Sequence, residues 1–392
     1  MKFNKKNIIH YLIYLVFSLN LLLSFTFYFF SRKKYKQIIL FGHKLDGNLY
    51  HFYKNKEKLK HNVFYFTFSY KEYKKLKNQN ENVYYSLILF DVIKIIKSNV
   101  FVASHGIPFH TVFAKLTNIK FLNIGHGITN TLVVDNPKQP NEKFHSYWLL
   151  SNFEKNMWEK DIERSLEILK PTGFIRIEEL VKAKNNKEKF KKKFNLSKKL
   201  VLFAPSGVEN HDLQKKENFQ YVNLEFLSLL DEVCDKNDYQ CIFKPHYFNY
   251  EYQEIESNVV NFIISSNNLI YSEDLDYEDI NELLIITDIL ITDYSSIFVD
   301  FLSLDKPIIF LDVMRRWNNT IFSDYLDNEH IEFVKNFKDF ELLFTNIFNN
   351  DEYIDNLILL KKLIFDDNFK YDSFENYKVD IAKILGQDIN KM

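Results

Sequence analysis

The chain has 392 residues, with 51 Lys plus Arg against 52 Asp plus Glu, for a formal net charge of −1. That length accommodates two domains at roughly 100–200 residues each, and the charge balance excludes any global argument for nucleic-acid binding. The two cysteines, Cys234 and Cys241, form neither a disulfide framework nor a zinc spacing and suit a reducing compartment.

Residues 8–30 carry no charge, and about 20 apolar residues are enough to span a bilayer. No small-residue cleavage site follows, so an uncleaved membrane anchor is expected. A helix lying in the membrane interface is the other reading. Lys2, Lys5 and Lys6 precede the segment and Arg32, Lys33, Lys34 and Lys36 follow it, which tips the main body only slightly toward the cytoplasm.

A strand is expected at 37–41, ending at Gly42, with the turn Asp46-Gly47-Asn48 beyond it. That turn reads either as a cleft-facing contact or as a plain helix entry. Strands follow at 61–68, at 99–103 (ending at Ser104-His105-Gly106), at 120–124 (ending at Gly125-His126-Gly127) and at 147–150. Helical spacing lies between them, over 87–97 and 111–117. A second unit starts near Pro171-Thr172-Gly173 with a Lys-rich, solvated helix over 181–199. Then come a strand at 200–204 ending at Pro205-Ser206-Gly207, a helix at 221–234, and a strand at 240–244 ending at Pro245-His246. A strand at 261–264, a helix at 280–286, a strand at 289–291 and another at 307–311 complete the alternation, and 328–385 reads as helical. Strands alternating with helices imply parallel sheets with sites at the strands' carboxyl ends. The chain therefore divides into an anchor (1–35), an N-terminal Rossmann-like domain (36–170) and a C-terminal one (171–392).

Thr292-Asp293-Tyr294-Ser295-Ser296 stands between the 289–291 strand and the helical spacing of Ile297, Phe298, Phe301 and Leu302. Backbone amides at such a helix start bind phosphate or pyrophosphate. The plainer alternative is a cap, in which Ser295 or Asp293 satisfies orphan amides. Histidines at strand ends suit proton transfer near neutral pH.

Taken together, these strand ends resemble the CDP-glycerol glycerophosphotransferase family of teichoic-acid and capsule polymerases, over residues 36–330. The match is closest at Ile291-Thr292-Asp293-Tyr294-Ser295-Ser296, with Phe298, Asp300, Lys306 and Pro307 after it. Leu202-Phe203-Ala204-Pro205-Ser206 is similar to the family's YAPTW strand end, with Ser-Gly in place of Thr-Trp. Thr172-Gly173-Phe174-Ile175-Arg176 is similar to GYPR, with Ile175 in place of proline. Lys244-Pro245-His246 resembles a strand-end histidine motif. For the WHGTPLK-like turn two histidines compete: His105 matches the local letters and His126 matches the position, and His126 is preferred.

The resemblance implies a GT-B fold, an α/β architecture of two Rossmann-like domains facing across a cleft. It implies transfer of glycerol phosphate, or a similar polyol phosphate, from a CDP-alcohol such as CDP-glycerol to a hydroxyl of a lipid-linked or polysaccharide acceptor, with release of CMP. No cofactor, metal or nucleic acid is implied, and the protein is expected at the cytoplasmic face of the bacterial inner membrane. His126 and His246 are the expected catalytic residues. Ser206, Arg176, Asp293, Ser295 and Ser296 are expected to bind the donor, with His105, Asp46 and Asn48 as further candidates. A GT-B glycosyltransferase using a nucleotide sugar and an inactive membrane-tethered scaffold are the alternatives.

Overall fold

Short runs of β-branched and aromatic residues, five of them buried along their whole length, pair into two wholly parallel sheets. Such near-continuous apolar strands are what a sheet covered on both faces requires. The computed structural model describes residues 8–30, 35–107, 110–128, 144–161, 166–205, 224–245, 257–293, 295–311, 333–366 and 369–389. The first sheet holds β1 (Gln37–Phe41), β2 (Asn62–Thr67), β3 (Val83–Tyr85), β4 (Val100–Ala103), β5 (Lys120–Asn123), β6 (Ser146–Leu149) and β7 (Leu169–Pro171), in the order β3-β2-β1-β4-β5-β6-β7. The second holds β8 (Lys199–Phe203), β9 (Tyr239–Phe243), β10 (Leu269–Tyr271), β11 (Ile289–Thr292), β12 (Ile308–Leu311) and β13 (Phe333–Val334), in the order β10-β9-β8-β11-β12-β13. Strand order thus reverses between β1 and β4 and again between β8 and β11. Ligands bind outside the carboxyl ends of strands at such reversals.

In the first unit the period-2 alternation of β1 divides its side chains between two cores. Ile38 and Leu40 join a cluster with Leu49, Phe52, Trp148 and Tyr377. Ile39 and Phe41 join the opposite cluster with Phe66, Phe101, Phe121 and, from helix α1 (Ile8–Phe30), Phe17, Leu21, Phe25 and Tyr28. Helices α2 (Gly47–Lys54), α3 (Tyr70–Asn78), α4 (Leu89–Ile96), α5 (His110–Leu116), α6 (Asn152–Asp161) and α7 (Ile175–Ala183) follow these strands, and in place of one helix over 181–199 α7 ends at Ala183 and a separate short helix, Lys187–Lys193, precedes the second sheet.

Helix α1 is long and apolar enough to cross a bilayer by length and composition, with a mean hydropathy of 2.0. It is also a packed element of the first unit. Phe17 is 1% exposed, and its ring lies 4.9 Å from Phe68 and 5.9 Å from Phe66. Asn20 Nδ2 donates to the Ser86 carbonyl at 3.3 Å. The opposite stripe, including Ile8, Leu12, Leu15, Leu19 and Leu22, is exposed.

The compact units do not follow the chain in simple order. Among the described residues the first takes those up to 126, 144–178 and 370–389, and the second takes most of 179–366. The C-terminal helix Ser373–Leu385 therefore belongs to the first unit. Trp148 and Tyr377 stack at 4.0 Å, and Trp148 Nε1 donates to Asp380 at 2.7 Å. The expected strand at 261–264 is helical, within Ser257–Ser265. Val259 and Ile263 are spaced four apart and both buried, so the segment follows a 3.6 period, and the strand comes later as β10. Strands β3, β7 and β13, with three, three and two residues, are too short to leave a pattern in the sequence.

Candidate active site

Strands β1, β4 and β5 are consecutive neighbours, with Phe41 level with Ala103 and Ala103 level with Asn123. Each carries a histidine just beyond its carboxyl end: His43, His105 and His126. The His43 and His105 ring centroids are 4.3 Å apart, and those of His105 and His126 are 4.4 Å apart. His105 and His126, rivals in the sequence reading, are thus side by side, and His43, which that reading passed over, joins them. The available clue was the dipeptide Gly42-His43, placed after its strand as Gly125-His126 is after the next-but-one. Without strand order nothing connected them.

The turns are held by buried polar groups. Asn48 is 2% exposed. Its Nδ2 donates to the carbonyls of Ile124 at 3.1 Å and Gly125 at 3.4 Å, and its Oδ1 accepts from the Arg176 amide at 3.2 Å. The Arg176 guanidinium donates to the His126 carbonyl at 2.7 Å and lies over the Phe174 ring. One asparagine thereby ties the start of α2, the end of β5 and the start of α7 together. Gly125 has φ +67°, and a Cβ there would meet the Phe174 ring at 2.9 Å, so the His126 turn requires glycine. On the other side, Ser104 Oγ bonds His105 Nδ1 at 2.8 Å. A Cβ on Gly42 would come within 2.8 Å of that same Ser104 Oγ.

Desolvation, then the charge of Arg176, then His43 pull the His126 imidazole down to about 4. The side chain itself is exposed, which limits how far lost hydration can act. The direction of the shift stands on Arg176 and His43 as well. His126 is accordingly neutral at physiological pH and able to accept a proton. Buried Glu154, which feels the Arg176 charge, accepts the Leu150 amide at 2.7 Å, and burial pushes its carboxyl up to about 7. Nothing in the sequence marked Glu154, because its burial arises only when α6 closes on β6. Asp46 precedes α2 as an exposed residue and makes no side-chain cap bond.

In the second unit, Thr292 Oγ1 donates to the Ala204 carbonyl at 2.7 Å, joining the ends of β11 and β8 at the reversal of strand order. Asp293 is buried, and its Oδ1 accepts the Ser295 amide at 3.0 Å. Ser296 precedes the short helix Ile297–Leu302 and makes no side-chain cap bond. The knot is therefore braced by Asp293, while the Ser296 hydroxyl is not used as a cap. Lys306 donates to the carbonyls of Ile285 and Thr287 at 2.8 and 2.6 Å, which makes it a structural tie. Ser206 and His246 lie outside the described residues.

The family model for CDP-glycerol:poly(glycerophosphate) glycerophosphotransferases matches residues 23–373. A teichoic acid poly(glycerol phosphate) polymerase of Bacillus spizizenii is 35% identical over 167 residues, covering 40% of this chain and 39% of that protein. A teichoic acid glycerol-phosphate transferase of Staphylococcus aureus is 26% identical over 212 residues, covering 53% of this chain and 50% of that protein. The chain thus aligns with half or less of the length of these relatives. The structure of the wall teichoic acid polymerase TagF is similar with a TM-score of 0.69 at 15% identity, covering 96% of this chain and 97% of that one. A UDP-GlcNAc 2-epimerase from Neisseria meningitidis is similar with a TM-score of 0.58 at 14% identity, covering 90% of this chain and 100% of that one. At those identities the likeness establishes the fold, two Rossmann-like units of GT-B type. With the family model matched along most of its length, the chain belongs to the CDP-glycerol:poly(glycerophosphate) glycerophosphotransferase family.

Proposed function

We propose that the protein transfers glycerol phosphate, or a similar polyol phosphate, from a CDP-alcohol to a hydroxyl of a cell-wall polymer and releases CMP. The observation that carries this reading is the neutral, strand-end His126, clamped by Arg176 and Asn48 at the carboxyl edge of the first sheet, in a chain of this family. The acceptor oxygen attacks the β-phosphorus of the donor, its proton goes to His126, and the bond between the two phosphates breaks with CMP as the leaving group. Phosphoryl transfer asks mainly for positioning and charge stabilisation. The Asp293–Ser295–Ser296 turn suits the donor's phosphates, and Ser206 remains a proposed donor contact from its sequence alone. Arg176 is read as the clamp of the His126 turn rather than as a donor ligand, because its guanidinium is engaged at the His126 carbonyl.

The exposed apolar stripe of α1 suits a lipid surface, with the buried stripe keeping the helix on the first unit and in the plane of the interface. The cytoplasmic face and a lipid-linked acceptor are part of the same proposal.

The test is the leaving group. With the donor's β-phosphate radiolabelled, the reading requires label in the polymer and CMP in solution. Release of UDP or GDP from a nucleotide sugar, with no turnover of CDP-alcohols, overturns it.

A further inference from the structure

The three histidines form a column rather than three separate turns. Adjacent parallel strands lie about 4.8 Å apart, and His43 and His105 stand two residues beyond the level positions Phe41 and Ala103 while His126 stands three beyond Asn123; the turns bring the rings into contact at 4.3 and 4.4 Å between centroids. His105 is the middle ring, tied by Ser104 Oγ, and His126 is the end ring, tied through its backbone to Arg176. His43 closes the other end. Gly42 brings the β1 turn within 2.8 Å of Ser104 Oγ at the position of a would-be Cβ, beside the His43–His105 contact.

Resting on the transferase reading above, we propose that His43 is a positioning residue of the acceptor-side site, which holds the His105 and His126 rings in one row of tilted contacts, at 45° and 51° between ring planes, and restricts the column to one proton at a time. The physical basis is simple. Imidazoles in contact repel when two are charged, so a proton on one ring disfavours a proton on its neighbour. The charged groups acting on His126 are Arg176, from α7, and His43, from the β1 turn, and both act in the same sense. Glu154, from α6, faces Arg176 with the opposite sign.

The experiment uses the full chain carrying His43→Ala or His43→Phe. It measures kcat and KM with CDP-glycerol, the pH profile of kcat/KM, and the titration of selectively labelled histidine rings by NMR. The NMR arm needs no turnover. His43→Ala should lower kcat by up to about 10²-fold, the scale of a misplaced catalytic group, with little change in donor KM. His43→Phe restores a flat ring against His105, so it should recover most of kcat at pH 7. In both variants the His126 midpoint and the acid limb should move to higher pH, because a ring able to carry positive charge has gone. Unchanged kcat and an unmoved His126 midpoint in both variants overturn the proposal. So does His43→Phe being as impaired as His43→Ala with wild-type thermal unfolding. If no CDP-alcohol is turned over yet the midpoint moves in His43→Phe, the column stands and the transferase reading falls. Turnover at the wild-type rate with an unmoved midpoint retains the transferase reading and removes His43 from it.

Discussion

At the scale of single residues, the site turns on how the neighbours of His126 set its charge. A base works unprotonated, so kcat/KM rises with pH through the base's pKa in the free enzyme. With His126 held below its ordinary value by Arg176 and His43, the acid limb should lie below the ordinary histidine range of about 6.5. Arg176→Met removes one of the lowering influences, so the limb should move up in a kcat/KM profile; an unmoved limb would show that another group is the base. His126→Ala should lower kcat by ~10²–10⁴-fold, the usual contribution of a general base, with thermal unfolding near wild type. Glu154 gives a stability prediction. Its folded pKa, about 7, lies above its unfolded value. The stability it lends is full below about 4.3 and is lost as pH rises toward 7. Glu154→Gln should therefore match wild type in unfolding free energy near pH 4 and exceed it at pH 8, by up to about 4 kcal/mol at about 1.4 kcal/mol per pKa unit. Ser296→Ala removes no cap bond, so it should leave stability within about 0.5 kcal/mol while raising the donor KM. A large fall in Tm with unchanged KM would return Ser296 to a capping role.

At the scale of elements, α1 has two faces with different work. Its inner stripe is core: Phe17→Ala should cost about 3–5 kcal/mol in denaturant unfolding, as for a buried aromatic. Its outer stripe is solvent-facing: Leu19→Ser with Leu22→Ser should leave the fold intact and weaken sedimentation with anionic vesicles. Equal loss of folding in both variants would mean that the outer stripe is packed as well. The hydropathy of residues 8–30 was legible in the sequence, but its division into two stripes was not. Leu, Ile and Phe occupy both faces, so the pattern has little amphipathic contrast for a sequence to display. The same holds for residues 257–265, where a short apolar run fits a strand or a helix and only the partner surface decides.

At the scale of the whole molecule, the C-terminal helix is a distant but integral part of the first unit. It supplies Phe374, Tyr377 and Ile381 to the core that also holds Phe52 and Trp148. The Tyr377 hydroxyl donates to the Gly173 carbonyl at 2.8 Å, and Glu178 accepts the Phe374 amide at 2.9 Å. Truncation before residue 370 should therefore unfold the first unit and remove its activity, read by circular dichroism and by Trp148 fluorescence. Native-like unfolding of the truncated chain would show that the helix only decorates the surface.

The sequence by itself determined the alternation of strands and helices, the parallel α/β class and the strand ends where chemistry would sit. Those follow from local periodicity and from glycine, serine and histidine placed just past apolar runs, all of which are short-range properties. It also offered His105 and His126 as rival candidates and, through the family resemblance, Arg176 as a donor-binding candidate. Tertiary structure decided what those residues do to one another. His43 joins His105 and His126 only because β1, β4 and β5 are adjacent in a sheet, although 62 and 21 residues separate the histidines along the chain. Arg176 meets the His126 carbonyl only because α7 starts beside the end of β5, with Asn48 bridging the two. The return of Tyr377 to Trp148 rests on a contact across 229 residues. Strand order and long-range packing are set by the burial of whole surfaces, and no local stretch of sequence contains them.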